Sequence, residues 1–163
     1  MVFPRKKKIV LFISDDIRQS FPEDVHAVDV LGFDEYSVLD DILEAFDQLN
    51  ARNAFDFSNY ALVIKLHPRA DIDKFDELLN QNAREFLEII VTRDADPLAI
   101  NFYSDYVLGM YSNMVIESLL MEKKVLRVQT GQVGVDIIKF DQLKCELIIY
   151  KADLLNRLGQ FIN

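Results

Sequence analysis

The sequence predicts a three-layer α/β domain of Rossmann-like type, with a mostly parallel sheet and helices on both faces. Three observations lead there. Short apolar runs rich in Ile, Val and Leu recur along the chain, as in Ile9-Val10-Leu11-Phe12-Ile13 and Ala61-Leu62-Val63-Ile64. Such unbroken runs mark strands buried on both faces, the signature of parallel sheets. Segments with helical spacing lie between them, so βαβ units follow. Half of the 163 residues are hydrophobic and 12 are Phe, which is enough to build one core.

The elements come in order. Lys8 to Ile13 is the first strand. Ser14 to Tyr36 is polar and irregular, with Pro22 and Gly32. Val38, Leu39, Ile42, Leu43, Phe46 and Leu49 then recur at helical spacing. Ser37 is placed as the cap of this helix with Asp40 three positions on, and the helix fades over Asn50 to Asn53. Tyr60 to Leu66 is a second strand, closed by His67-Pro68, because proline disfavours helical geometry in the residue before it. A helix follows over Asp71 to Asn80, then a strand over Phe86 to Val91 and a short helix over Pro97 to Tyr103. Tyr106 to Met110 is a strand and Asn113 to Met121 a helix. Val125 to Val128 is a further strand. A sixth is placed over Glu146 to Tyr150, so the sheet counts five to six. Ala152 to Phe161 closes the chain as a helix. No repeat, linker or low-complexity stretch divides residues 1–163, which are taken as a single domain.

Composition narrows the function. The formal net charge of −9 repels polyanions, so nucleic acid is a poor partner. No apolar run reaches the ~20 residues of a membrane helix. The basic residues Met1 to Lys8 precede an apolar run too short for a signal peptide. A single cysteine, Cys145, allows no internal disulfide. This suits a reducing, cytoplasmic setting. Glycine-rich phosphate loops, a G-x-S-x-G elbow and H-E-x-x-H are all absent from the sequence. No metal and no cofactor are expected.

Ligands of parallel α/β sheets bind outside the carboxyl ends of the strands. Three loops therefore hold the candidates. Lys65-Leu66-His67-Pro68-Arg69 gathers Lys65, His67 and Arg69 at a strand end, a set suited to phosphate. The bland alternative has Lys65 in solvent, Arg69 paired with an aspartate and His67 turning the chain. Ser112 and Asn113 open a helix, where amides and the hydroxyl can hold an anion or simply cap the helix. Glu117, one turn on, can face a sugar hydroxyl or pair with Lys123 or Lys124. Ser14 and Asp15 end the first strand. With Asp16 they also allow a Mg²⁺ site of the receiver-domain kind, although Lys65 or His67 stands where a receiver carries its phospho-accepting aspartate.

Two stretches read together resemble a known family. Ala61-Leu62-Val63-Ile64-Lys65-Leu66-His67-Pro68 is followed by Asp105-Tyr106-Val107-Leu108-Gly109-Met110-Tyr111-Ser112-Asn113 and then by the helix carrying Glu117. This is similar to the C-terminal, donor-binding half of GT-B glycosyltransferases, among them surface-polysaccharide, sialyltransferase and CDP-glycerol glycerophosphotransferase types. The likeness runs from about Lys7 to Gly131. It implies a nucleotide-sugar or related pyrimidine-nucleotide donor, with His67 and Ser112 on its phosphates, Glu117 on the ribose and Arg93 near the base. It implies no bound metal, and an acceptor-binding N-terminal domain that these residues do not include. The chain departs from the family pattern where Asn113 replaces a second hydroxyl residue and Met121-Glu122-Lys123-Lys124 replaces a Gly-Lys-Pro turn. Two other readings stand beside this one: a non-catalytic α/β module, and a degenerate receiver-like domain.

Overall fold

The structure, a computed structural model, describes residues 7–81, 84–134, 136 and 145–162. The basic residues 1–6 lie outside it. Six strands form one sheet: β1 (Lys8–Ile13), β2 (Tyr60–Lys65), β3 (Glu88–Thr92), β4 (Tyr106–Gly109), β5 (Lys124–Val128) and β6 (Glu146–Ile148). Their order is β3-β2-β1-β4-β5-β6, and every pairing is parallel. This is the doubly wound Rossmann order, in which the winding reverses between β1 and β4. A receiver domain places its third strand beside its first; here β4 fills that position, so the receiver alternative fails on topology.

The helices are α1 (Ala27–Leu31), α2 (Glu35–Ala51), α3 (Ile72–Asn80), α4 (Pro97–Tyr103), α5 (Asn113–Leu120) and α6 (Lys151–Phe161). The two faces of the sheet are unequal. Phe12, Leu62, Ile64 and Leu108 pack under Val38, Leu39, Ile42 and Phe46 of α2, Phe75 of α3, and Leu154 and Leu158 of α6. The opposite face is thinner, with Leu11, Ile13, Val63 and Val107 set against Ile100 of α4 and Val115 of α5. Both helices there are short. A fully buried Asn101 compensates: its Oδ1 accepts the Ser118 hydroxyl at 2.7 Å, and its Nδ2 donates to the Met114 carbonyl. That network fixes α5 against α4.

Three local expectations need correction. The long helix starts two residues before Ser37. Asp34 is its cap, because one carboxylate oxygen accepts the amides of both Tyr36 (3.1 Å) and Ser37 (2.8 Å), while Ser37 Oγ accepts the Asp34 amide at 2.9 Å. Ser37 is thus the third helical residue of a reciprocal capping box, not the cap. The stretch Ser14 to Tyr36 is not wholly irregular, since it contains α1. Phe86 precedes β3 and joins the aromatic contacts around Phe57 instead.

Two glycines hold the carboxyl rim together. Gly32 ends α1 at φ +84°, and Gly131 follows β5 at φ +89°. A Cβ on Gly32 would lie 1.8 Å from the Gly131 carbonyl oxygen, and one on Gly131 would lie 2.5 Å from the Gly32 oxygen. The two backbones therefore cross with no room for a side chain. Val133 extends the contact by donating its amide to the Leu31 carbonyl at 2.8 Å. Gly32→Ala is expected to destabilise the fold by about 2–4 kcal/mol, from the left-handed φ and the backbone clash together. Thermal melting should show a drop of several degrees; an unchanged midpoint would refute the crossing.

Candidate functional site

A cavity of about 480 Å³ opens at the carboxyl ends of β1, β2 and β4. Its position is the switch point between β1 and β4, where the divergence of the two crossovers leaves a crevice. The β1 end contributes Ser14, Asp15 and Asp16. The loop between β2 and α3 contributes Lys65, His67 and Arg69, and the turn into α5 contributes Tyr111, Ser112 and Asn113. The three loops picked from the sequence thus line one cavity. Glu117 and Arg93 are not among the lining residues. Glu117 is half-buried on α5. Lys123 binds the carbonyls of Phe102 and Ser104 rather than Glu117, and Lys124 lies over the Tyr106 ring. The Arg93 guanidinium donates to the Ala70 carbonyl at 2.6 Å.

The floor is organised around one peptide. Asp15 is buried, and its carboxylate accepts the Tyr111 amide at 3.0 Å. On the other side of the same peptide, the Met110 carbonyl accepts Arg127 Nε at 2.8 Å and Gln129 Nε2 at 3.3 Å. Arg127 is only 2 % exposed, and its two terminal nitrogens grip Asp136 in a bidentate pair. The Met110-Tyr111 peptide is therefore held at both ends, and it aims the α5 N-terminus at the cavity. That helix has no side-chain cap. The Ser112 hydroxyl lies near enough to Asp15 to favour its ionised form, yet it is buried without a hydrogen bond of good geometry. Burial dominates Asp15 and pushes its carboxyl up to about 6.

The cations are less available than their spacing suggests. Lys65 does not face solvent. It is buried, its ammonium donates to the Leu66 (3.1 Å) and Arg93 (2.7 Å) carbonyls, and desolvation lowers its pKa. Arg69 forms an ion pair with Asp16. His67 Nδ1 accepts the Arg69 amide at 3.2 Å and lies 3.8 Å from an Asp16 oxygen. Because Nδ1 accepts, the neutral ring carries its proton on Nε2. Among the described residues, no group of three or more His, Cys, Asp or Glu side chains could hold a metal ion.

Reading the sequence missed three residues around this site. Arg127 lay inside an apolar strand, and that was the available signal: an arginine in a strand covered on both faces must be paired. Asp136 gave no local sign, and Asp16, weighed as part of a Mg²⁺ site, gave none of its pairing with Arg69. Glu35 is fully buried in the first turn of α2, where both its carboxylate oxygens accept the Arg18 amide. Burial, with Asp34 and Asp16 adding charge repulsion, raises its pKa to about 7.

No protein-family model matches the chain, and no curated protein matches it. Solved structures do. The chain is similar to the S. aureus MnaA-UDP co-structure, with a TM-score of 0.60 and 16% identity over 97% of this chain and 37% of that one. It is also similar to a putative UDP-N-acetylglucosamine 2-epimerase from Listeria monocytogenes, with a TM-score of 0.59 and 14% identity over the same shares. What is shared is the fold. The chain has a GT-B-like, Rossmann-type α/β fold, and it spans little more than a third of the length of these neighbours. Among the described residues, no helix is long and apolar enough to cross a membrane.

The two raised carboxyls make stability depend on pH in one direction. Their contribution is fully present below the unfolded values of 3.8 and 4.5 and is lost as pH rises through about 6 for Asp15 and about 7 for Glu35. Urea unfolding of the wild type should therefore show lower stability at pH 8 than at pH 5. Glu35→Gln is expected to remove about 2 kcal/mol of that decline. An identical pH slope in the variant would contradict the assignment.

Proposed function

We propose that the chain is a donor-binding domain for a nucleotide-activated sugar, or for a related nucleotide-diphosphate alcohol, in a glycosyltransferase-like protein of polysaccharide biosynthesis. One observation carries the reading: His67, Arg69, Ser112 and Asn113 converge from two loops on one cavity at the β1/β4 switch point. The uncapped N-terminus of α5 offers amides and a partial positive charge to a phosphate. His67 presents Nε2–H as a further donor, since its Nδ1 is already engaged. Lys65 acts from behind, as a buried charge tied to backbone carbonyls, so its help is electrostatic and not a direct contact.

Glu117 is assigned to the ribose from the sequence resemblance, and Arg93 to the base. Neither lines the cavity, so they serve only a ligand that extends past it. The acceptor and any catalytic base belong to a further domain. On this reading the isolated domain binds donor and does not transfer it. A cytoplasmic location fits activated-sugar chemistry.

The second reading, a non-catalytic module that kept the fold, draws on the internal neutralisation of Arg69 by Asp16. The same measurement separates the two. Titration with UDP, CDP or CMP, followed by amide shifts, should perturb His67, Ser112 and Asn113. His67→Ala should loosen binding about tenfold, the loss of one hydrogen bond to a charged group. A flat response to every pyrimidine nucleotide would favour the non-catalytic module.

A further inference from the structure

The cationic loop of the cavity is already occupied by an anion of the protein's own. Asp16 is the only carboxylate that faces both Arg69 and His67 among the described contacts. Its side chain is only 8 % exposed, and both its oxygens are shielded from solvent. Its backbone is anchored separately: the Ser20 hydroxyl donates to the Asp16 carbonyl, and the preceding Asp15 is fixed on the Tyr111 amide. The backbone of Asp16 is thus fixed at the cavity wall. Arg69, by contrast, is 67 % exposed at the end of a flexible stem, free to follow either partner.

Resting on the phosphate site proposed above, we propose that Asp16 is an internal counter-anion, which competes with a ligand's phosphate for Arg69. The carboxylate offers the fork geometry that a phosphate offers to a guanidinium. Entry of a phosphate then requires Asp16 to release Arg69, or else places two anions against one cation. Either way, the pair lowers affinity and sets a threshold of ligand charge. A diphosphate can supply that charge and an uncharged nucleoside cannot. The remaining acid at this wall does not substitute for Asp16, because the Asp15 carboxylate is committed to the Tyr111 amide.

The test is a double-mutant cycle on the full chain with inorganic pyrophosphate and UDP as probes, read by titration calorimetry. Asp16→Asn is expected to tighten pyrophosphate binding by about threefold to tenfold, the range of a partly exposed ion pair. That gain should vanish when Arg69→Ala is added. Unchanged or weaker binding in Asp16→Asn overturns the proposal while leaving the phosphate site standing. Binding of neither probe to any variant overturns both. A measurement on the unaltered protein guards against a variant that fails to fold. The carboxyl-carbon resonance of Asp16 should move as pyrophosphate is added, and a stationary resonance refutes the exchange.

Discussion

The peptide between Met110 and Tyr111 is the point on which the site depends. In most α/β sheets the crevice at the switch point is open because its two flanking strands send their chains in opposite directions. Here that divergence is bridged. A carboxylate from the end of β1 takes the amide, and a buried guanidinium from β5 takes the carbonyl. Neither bond belongs to the ladder of the sheet. Both are shielded at least in part, so each is stronger than it would be in water, and removing either side chain would take a partner from a polar group of the peptide. The direction of α5, and with it the positions of Ser112 and Asn113, follows from this clamp.

The charge around the cavity is arranged more economically than the bare residue types imply. Lys65 and Arg69 are cations already matched, one by carbonyl dipoles and one by a carboxylate. A chain with net charge −9 has few cations to spare, and unmatched ones at a concave site would draw in any acid side chain nearby. Internal matching leaves neither cation bare at the concave surface. The buried acids Asp15 and Glu35 lean the other way, since their burial makes the neutral form accessible near physiological pH.

Much of the fold could be read in the sequence because strands buried on both faces leave uninterrupted apolar runs. β1, β2 and β4 are each of that kind, and their ends located the three loops that meet at the cavity. β3 was placed two residues early because Phe86 is apolar for another reason, its packing on Phe57. The cap of α2 was misplaced because Ser37 and Asp34 both carry capping chemistry, and only backbone geometry tells which of them is helical. The partners of the charges were out of reach. Arg69 finds Asp16 from 53 positions away, and Asp15 finds Tyr111 across 96. Local spacing carries no record of such pairings. The role of Lys65 was hidden for a related reason, since its acceptors are backbone carbonyls present at every residue.

The strand order also has a consequence in time. β1 lies at the centre of the sheet, with β2 on one side and β4 on the other. During synthesis the Asp15 carboxylate exists before its donor amide does, by 96 residues of chain. At ribosomal speeds of about 5–20 residues per second, that gap lasts roughly 5–20 s. Once β2 has been made, about halfway through it, β1 and β2 can pair while the other edge of β1 stays unpaired and apolar. Half the cavity, with its cationic loop and its counter-anion, can therefore assemble well before the half that carries the α5 N-terminus. The early half is the more exposed to wrong pairing, and the charges at its rim work against it.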